Sequence, residues 1–177
     1  MRVPLHDSTR IFVEVIGRKL VPEGPTMRER RTMLLLHGGP GFDHSNFKAF
    51  YSQLTDIAQL VYYDHRGNGR SEDGPRERPL PPELIARVIR RDEVSEHFFR
   101  GELLTFDLGP RLAQITCPVL QLAGEADPIV TIEDSEDLAA ALPAHARFER
   151  FRDAGHMLAV EDPERVGELV REFVLAA

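Results

Sequence analysis

The sequence predicts an α/β fold with a mostly parallel sheet and flanking helices, and three consecutive segments carry this prediction. Residues 32–36 are a continuous apolar run that ends in a glycine-rich loop, which is typical of a buried parallel strand. Residues 45–60 carry apolar side chains at helical spacing. Residues 60–63 form a second apolar strand. The order strand, glycine loop, helix, strand is typical of α/β proteins.

The remaining elements follow from the same patterns. Residues 10–17 are rich in β-branched and aromatic side chains and predict a strand. Residues 19–31 contain two prolines and a glycine and predict a loop or a hairpin tip. Residues 72–82, rich in proline and charge, predict a linker. Further elements are predicted as helices at 83–100, 132–142 and 163–175, and as strands at 118–122 and 147–151.

Composition limits the classes of function. The chain has 177 residues, of which 42% are hydrophobic and 29% charged, which suits one globular domain. A net charge of −7 gives no overall attraction for nucleic acid, and no apolar stretch approaches the length of a membrane span. Cys117 is the only cysteine, which excludes an intrachain disulfide and predicts a cytoplasmic location. We expect neither nucleic-acid nor membrane partners.

Three motifs follow predicted strands. His37-Gly38-Gly39-Pro40-Gly41 comes after the strand at 32–36, Asp127 after the strand at 118–122, and His156 after the strand at 147–151. Glycine at such a position lets the backbone approach a reacting group closely. An Asp followed later in the chain by a His has the order of the last two members of a serine-hydrolase triad. The expected nucleophile is absent, because no serine has glycine both two residues before and two residues after it.

These motifs resemble the α/β-hydrolase superfamily, and within it the proline iminopeptidase branch, which also contains esterases and lactonases. Residues 64–71 (Asp-His-Arg-Gly-Asn-Gly-Arg-Ser) and 118–127 (Pro-Val-Leu-Gln-Leu-Ala-Gly-Glu-Ala-Asp) strengthen the resemblance, which follows family order over most of the chain. It implies that Gly38 and Gly39 donate N–H groups to an oxyanion, that His156 is the general base and that Asp127 orients it. We expect no cofactor, and the sequence has no recognisable spacing of metal ligands.

The resemblance is incomplete in the middle of the chain. Residues 72–106 stand where the superfamily carries the nucleophile elbow, two core strands and most of a helical cap. We therefore expect a truncated α/β-hydrolase-like domain over residues 1–177, with an N-terminal core half at 1–71, a linker and cap remnant at 72–112 and a C-terminal core half at 113–177. If central strands are missing from the sheet, the backbone N–H and C=O groups of the neighbouring strands are left without partners. Either the flanking strands close the gap, or the chain forms a homo-oligomer through exposed sheet edges.

Two serines are weak candidates for a replacement nucleophile. Ser71 follows a glycine by two residues, but Asp73 occupies the place of the second glycine. We interpret Ser71 as a hydrogen-bonding residue of its own loop. Ser45 lies beyond the glycine loop, where it or Asp43 is predicted to cap a helix.

Other reactive side chains are also better explained without catalysis. Cys117 precedes a strand and is predicted to be a small buried side chain. Asp64 ends a strand near the expected pocket, and Arg66 is its expected partner. The resemblance implies that acidic cap residues bind a substrate amino terminus, but the acidic residues of this stretch are interpreted as solvated surface; they are Glu93, Glu96 and Glu102.

Two functions remain open. The first is a proline iminopeptidase-like hydrolase by descent, acting on a small-molecule ester or a short peptide, whose activity is weak or lost because it has no recognisable serine nucleophile. A histidine held by an aspartate would activate water, which suffices for activated esters only. The alternative is a non-catalytic pseudoenzyme or an oligomerising binding module.

Overall fold

The computed structural model describes residues 1–38, 41–72 and 107–176. They fall into two compact units, one within residues 1–72 and the other within residues 107–176. The predicted helix at 83–100 and most of the predicted linker lie outside the described residues, as do Asp73, Glu93, Glu96 and Glu102. That the whole chain forms one truncated domain stays a prediction.

The first unit contains six strands. They are β1 (Arg2–Pro4), β2 (Arg10–Ile16), β3 (Leu20–Glu23), β4 (Thr26–Glu29), β5 (Arg31–Leu35) and β6 (Ala58–Tyr63). Four of them form a sheet in the order β1-β2-β6-β5, in which only the β5–β6 pair is parallel. β3 and β4 form an antiparallel hairpin, as the prolines and glycine of this segment predict. The antiparallel β1 strand was not predicted, because three residues that include a proline are too short a run to show strand alternation.

The helical segment after the glycine loop is divided. It consists of α1 (Ser45–Tyr51) and a 3₁₀ helix (Ser52–Asp56), where the apolar spacing predicts one helix to residue 60. Both helix types repeat near three residues, so the apolar pattern does not separate them. The core of this unit includes the fully buried side chains of Leu54, from the 3₁₀ helix, and of Leu60 and Tyr62, from β6.

Strand β5 is an edge strand. It pairs with β6 in parallel register, with Met33 opposite Leu60, and has no second strand beside it among the described residues. Leu34 and Leu36 are each 60% exposed. The prediction that this apolar run is buried is therefore wrong for the described part of the chain, because composition does not reveal which neighbours a strand has.

The second unit is a parallel strand pair with helices. Its elements are α2 (Gly109–Leu112), β7 (Leu120–Gly124), α3 (Ile132–Ala141), β8 (Arg147–Phe151), α4 (Leu158–Glu161) and α5 (Pro163–Ala176). β7 and β8 pair in parallel from Leu120 with Arg147 onward. The Thr131 hydroxyl accepts from the Asp134 N–H, and Asp134 accepts in return, which fixes the start of α3. No described helix has the length and apolar character that crossing a membrane requires.

Candidate functional site

The structure brings Asp127 and His156 together at one end of the β7–β8 pair. Each residue lies in the loop after one of these strands, and neighbouring parallel strands end at the same edge of a sheet. The Nδ1 of His156 lies 2.9 Å from Oδ2 of Asp127. The other carboxylate oxygen accepts the backbone N–H groups of Ile129 and Val130 at 2.8 and 3.0 Å. The carboxylate is thus held from both sides.

The pairing keeps Asp127 ionised and selects the tautomer of the neutral His156 ring. Burial alone raises the pKa of Asp127, but the His156 ring and the N–H groups of Ile129 and Val130 hold it below its ordinary value. The ionised carboxylate accepts a hydrogen bond, so the neutral imidazole carries its proton on Nδ1 and its lone pair on Nε2. Nε2 has no hydrogen-bond partner in the described part of this unit, and the His156 side chain is 45% exposed. This nitrogen can accept a proton.

Backbone contacts hold the two loops together. The Ala126 N–H donates to the Ala154 carbonyl at 3.0 Å. A Cβ at Gly124 would clash with the carbonyl oxygens of Ala154 and Gly155. Only glycine therefore allows the end of β7 to lie this close to the segment that leads into His156.

A second carboxylate, that of Glu161, accepts hydrogen bonds from the loop that carries His156, and the sequence did not predict this. Glu161 accepts the Gly155 N–H on Oε2 at 2.6 Å and the Met157 N–H on Oε1 at 2.9 Å. These two residues flank His156 in the chain. A cleft of about 640 Å³ opens beside Glu161, with Arg150, Arg152 and Arg165 in its wall, but neither Asp127 nor His156 lines it.

The glycine loop belongs to the first unit and is anchored by two histidines. The His65 N–H donates to Nε2 of His37 at 2.9 Å, and Nε2 of His65 donates to the His37 carbonyl at 3.0 Å. Burial lowers the pKa of His37, so its neutral ring donates from Nδ1 to the Gly38 carbonyl at 3.1 Å. Gly38 is exposed, while Gly39 lies outside the described residues. Their role as oxyanion donors stays a prediction.

Asp64 has a different partner from the one predicted. Arg66 pairs instead with Asp7 at 2.8 Å. Asp64 is fully buried, and its Oδ1 accepts the ring Nδ1–H and the backbone N–H of His44 at 2.7 and 3.0 Å. Its Oδ2 accepts the Arg70 N–H at 2.9 Å. Sequence reasoning missed His44 because the pair is separated by 20 residues.

Asp43, His44 and Asp64 are also the described residues that could hold a metal ion. Their potential ligand atoms lie within 4.8 Å of one another. The two buried members already bond each other, and Asp43 accepts the Ser45 N–H at 2.8 Å. Hydrogen bonding within the chain accounts for this cluster.

The weaker nucleophile candidates differ in their surroundings. Ser71 is buried, donates from Oγ to the Asp64 carbonyl at 2.7 Å and accepts the Phe12 N–H at 2.8 Å, which confirms its interpretation as a loop hydrogen-bonding residue. Ser45 is the first residue of α1 and does not cap it, whereas Asp43, the other residue predicted to do so, accepts the Ser45 N–H at 2.8 Å. Cys117 is exposed, not buried as predicted, because β7 begins three residues later.

Comparison with curated sequences finds hydrolases that match a minor part of this chain. A 3-oxoadipate enol-lactonase from Acinetobacter baylyi is 36% identical over 70 residues, covering 38% of this chain and 25% of the relative. A putative carbamate hydrolase RutD from Caulobacter vibrioides is 39% identical over 75 residues (42% and 28%). A proline iminopeptidase from Heyndrickxia coagulans is 32% identical over 80 residues (45% and 27%). The chain thus covers about a quarter of the length of these relatives, and no protein-family model matches it.

Solved structures match the chain from end to end. An esterase from Exiguobacterium antarcticum aligns with a TM-score of 0.76 at 15% identity, covering 98% of both chains. A proline iminopeptidase from Mycobacterium smegmatis aligns with a TM-score of 0.70 at 16% identity, covering 99% of this chain and 97% of the other. At such low identity the likeness concerns the fold.

Proposed function

Because the chain has the α/β-hydrolase fold, as the resemblance of its sequence motifs implied, we propose that it is a hydrolase of this superfamily by descent. By descent its substrate class is a small-molecule ester or a short peptide, as in the proline iminopeptidase-like branch, and the groups that the chain retains serve the ester. Its activity is weak, because the chain offers no serine between the glycines of a nucleophile elbow. The single observation that carries the proposal is the Asp127–His156 pair, whose Nε2 is available as a base.

The proposed reaction is base-assisted attack by water. Nε2 of His156 takes a proton from a water molecule, and the resulting hydroxide attacks the carbonyl carbon of an ester. The tetrahedral intermediate collapses and expels the alkoxide or phenoxide. Asp127 stabilises the imidazolium until it returns its proton to the leaving oxygen or to solvent, which regenerates the base. A peptide would need its leaving amine protonated in concert, so activated esters are the substrates that this arrangement serves best. Gly38 and Gly39 are the proposed donors to the oxyanion.

The test is hydrolysis of p-nitrophenyl acetate by the full chain. We expect turnover faster than that of free imidazole at equal concentration, because the bond to Asp127 orients the imidazole and leaves Nε2 as its acceptor nitrogen. Proline p-nitroanilide should remain intact. His6→Ala is the matched control, since His6 is an exposed histidine of the first unit and should contribute only as free imidazole does. A rate no greater than that of imidazole would favour the non-catalytic alternative.

We also propose that the chain forms a homo-oligomer through its open sheet edge. Leu34 and Leu36 are each 60% exposed on and just beyond edge strand β5, and an apolar edge with unpaired backbone groups is a template for a second strand. The exposed thiol of Cys117 supports a cytoplasmic location, where it would stay reduced.

Light scattering at several concentrations tests the oligomer. We expect the mass of a dimer at micromolar concentration and the mass of one chain for Leu34→Lys, because a charge on the edge opposes strand pairing. Leu20→Lys is the control, since Leu20 is an exposed leucine on a strand of the β3–β4 hairpin. A single-chain mass for the unmodified protein at all concentrations would contradict the proposal.

A further inference from the structure

The side chain of Glu161 forms hydrogen bonds with two backbone N–H groups that precede its own helix. It is the last residue of α4, and its side chain reaches back over the start of that short helix. Both carboxylate oxygens are used, one by the Gly155 N–H at 2.6 Å and the other by the Met157 N–H at 2.9 Å. Hydrogen bonds from N–H groups to an ionised carboxylate are short and stronger than those between neutral groups.

The residue enclosed by this pair of bonds is His156. On its N-terminal side the loop is also fixed through Ala154, whose carbonyl accepts the Ala126 N–H at 3.0 Å. The backbone that carries the imidazole is therefore held both before and after His156. The Asp127 side of the pair is fixed by its own bonds to Ile129 and Val130. The 2.9 Å separation between imidazole and carboxylate depends on both loops keeping their places.

We infer that Glu161 is a positioning residue for His156: its two hydrogen bonds to the flanking backbone keep the imidazole seated against Asp127. It does not touch substrate and takes no proton in the reaction. Its effect on activity rests on the proposed function, whereas its effect on the Asp127–His156 bond does not. Misplacement of a catalytic group by about 1 Å can cost roughly a hundredfold in rate.

The decisive readout is the tautomer of His156. An imidazole that donates from Nδ1 to Asp127 is held in the Nδ1–H form, whereas one released to solvent favours the Nε2–H form. The ¹⁵N shifts of the two ring nitrogens report this ratio in the full chain at pH 9, where an ordinary imidazole is neutral. The signals are assigned by their loss in His156→Ala.

Glu161→Gln and Glu161→Ala test the inference. Glutamine keeps one acceptor oxygen and loses the charge, and alanine loses both contacts. We expect the Nδ1–H population to fall in the order wild type, Gln, Ala. For p-nitrophenyl acetate we expect kcat to fall about tenfold to a hundredfold with KM unchanged. Glu164→Gln is the control, because Glu164 is exposed in the first turn of α5, and its replacement removes the same charge without touching the loop.

The two arms separate failure of this inference from failure of the proposed function. If the wild type does not hydrolyse the ester, the tautomer ratio still decides whether Glu161 seats His156. If Glu161→Gln and Glu161→Ala keep the wild-type ratio, the inference is overturned, whatever happens to their thermal stability. If Glu161→Ala does not fold, the outcome for Glu161→Gln decides alone.

Discussion

Replacing His156 by alanine should lower the rate of p-nitrophenyl acetate hydrolysis by about a hundredfold or more, to the background of the remaining histidines. General-base assistance by a positioned histidine is worth about 10²–10⁴ in rate. His156 donates from Nδ1 to Asp127, and among the described residues of its unit its Nε2 has no partner, so this nitrogen is the one that we expect to act as the base. The measurement is the initial rate of p-nitrophenolate release, with His6→Ala as the matched variant.

Asp127→Asn should cost nearly as much as loss of the imidazole. An asparagine amide that donates toward the ring favours the Nε2–H tautomer, which leaves no lone pair on the nitrogen that should accept the proton of water. The fold should survive, because the Ile129 and Val130 N–H groups can still bond the amide oxygen. Wild-type rates for either variant would show that the pair takes no part in the hydrolysis.

The largest effect on stability is expected for Asp64→Ala. Asp64 is fully buried at the end of β6 and accepts two hydrogen bonds from His44 and one from the Arg70 N–H. Breaking a buried pair by removing one partner typically costs about 3–5 kcal/mol. Asp64→Asn, which keeps the shape but loses the charge, should cost less. Glu23→Ala is the control, because Glu23 is exposed and forms a surface ion pair with Arg28 on the hairpin.

Tyrosine fluorescence during urea unfolding measures this loss within the first unit. The chain has no tryptophan, and its three tyrosines, Tyr51, Tyr62 and Tyr63, all lie in that unit. Each variant's midpoint is compared with that of the wild type. A midpoint for Asp64→Ala close to that of Glu23→Ala would contradict the importance of the buried pair.

The same carboxylate sets a pH dependence. Burial alone raises the pKa of Asp64, but the N–H groups of Arg70 and His44 and the His44 ring hold it below its ordinary value. A group whose pKa is lowered on folding contributes stability above its unfolded pKa and loses it as the pH falls through the folded value. The urea midpoint of the wild type should therefore decrease as the pH is lowered below about 4. The Asp64→Asn midpoint should fall less over the same range.

Local sequence signals predicted most elements of the two units. β2, β8 and α5 were predicted within about two residues, because their apolar patterns are bounded by glycine, proline and charged residues. The end of α1 was predicted wrongly, because the 3₁₀ turn that follows it preserves the apolar face that predicts a longer helix. The exposure of β5 was not predicted, because burial depends on neighbours that the strand's own residues do not specify.

Chain order and strand ends predicted the meeting of Asp127 and His156. Their supports were harder to foresee. The Asp64–His44 bond joins a strand end to a loop residue far away in the chain, and nothing near Asp64 distinguishes His44 from Arg66 as its partner. Glu161 is close to His156 in sequence, yet a glutamate in an amphipathic segment is commonly solvated surface. The available signal was the spacing: Glu161 follows Met157, the residue just before a short helix, by four positions.

We propose that His156 and Asp127 form a base that acts without a serine nucleophile. Intact-protein mass spectrometry after incubation with a fluorophosphonate tests it most directly, because the reagent forms a stable adduct with an activated serine. We expect no mass increase, together with ester hydrolysis that depends on His156. One equivalent of adduct on a serine, lost when that serine is replaced by alanine, would contradict it.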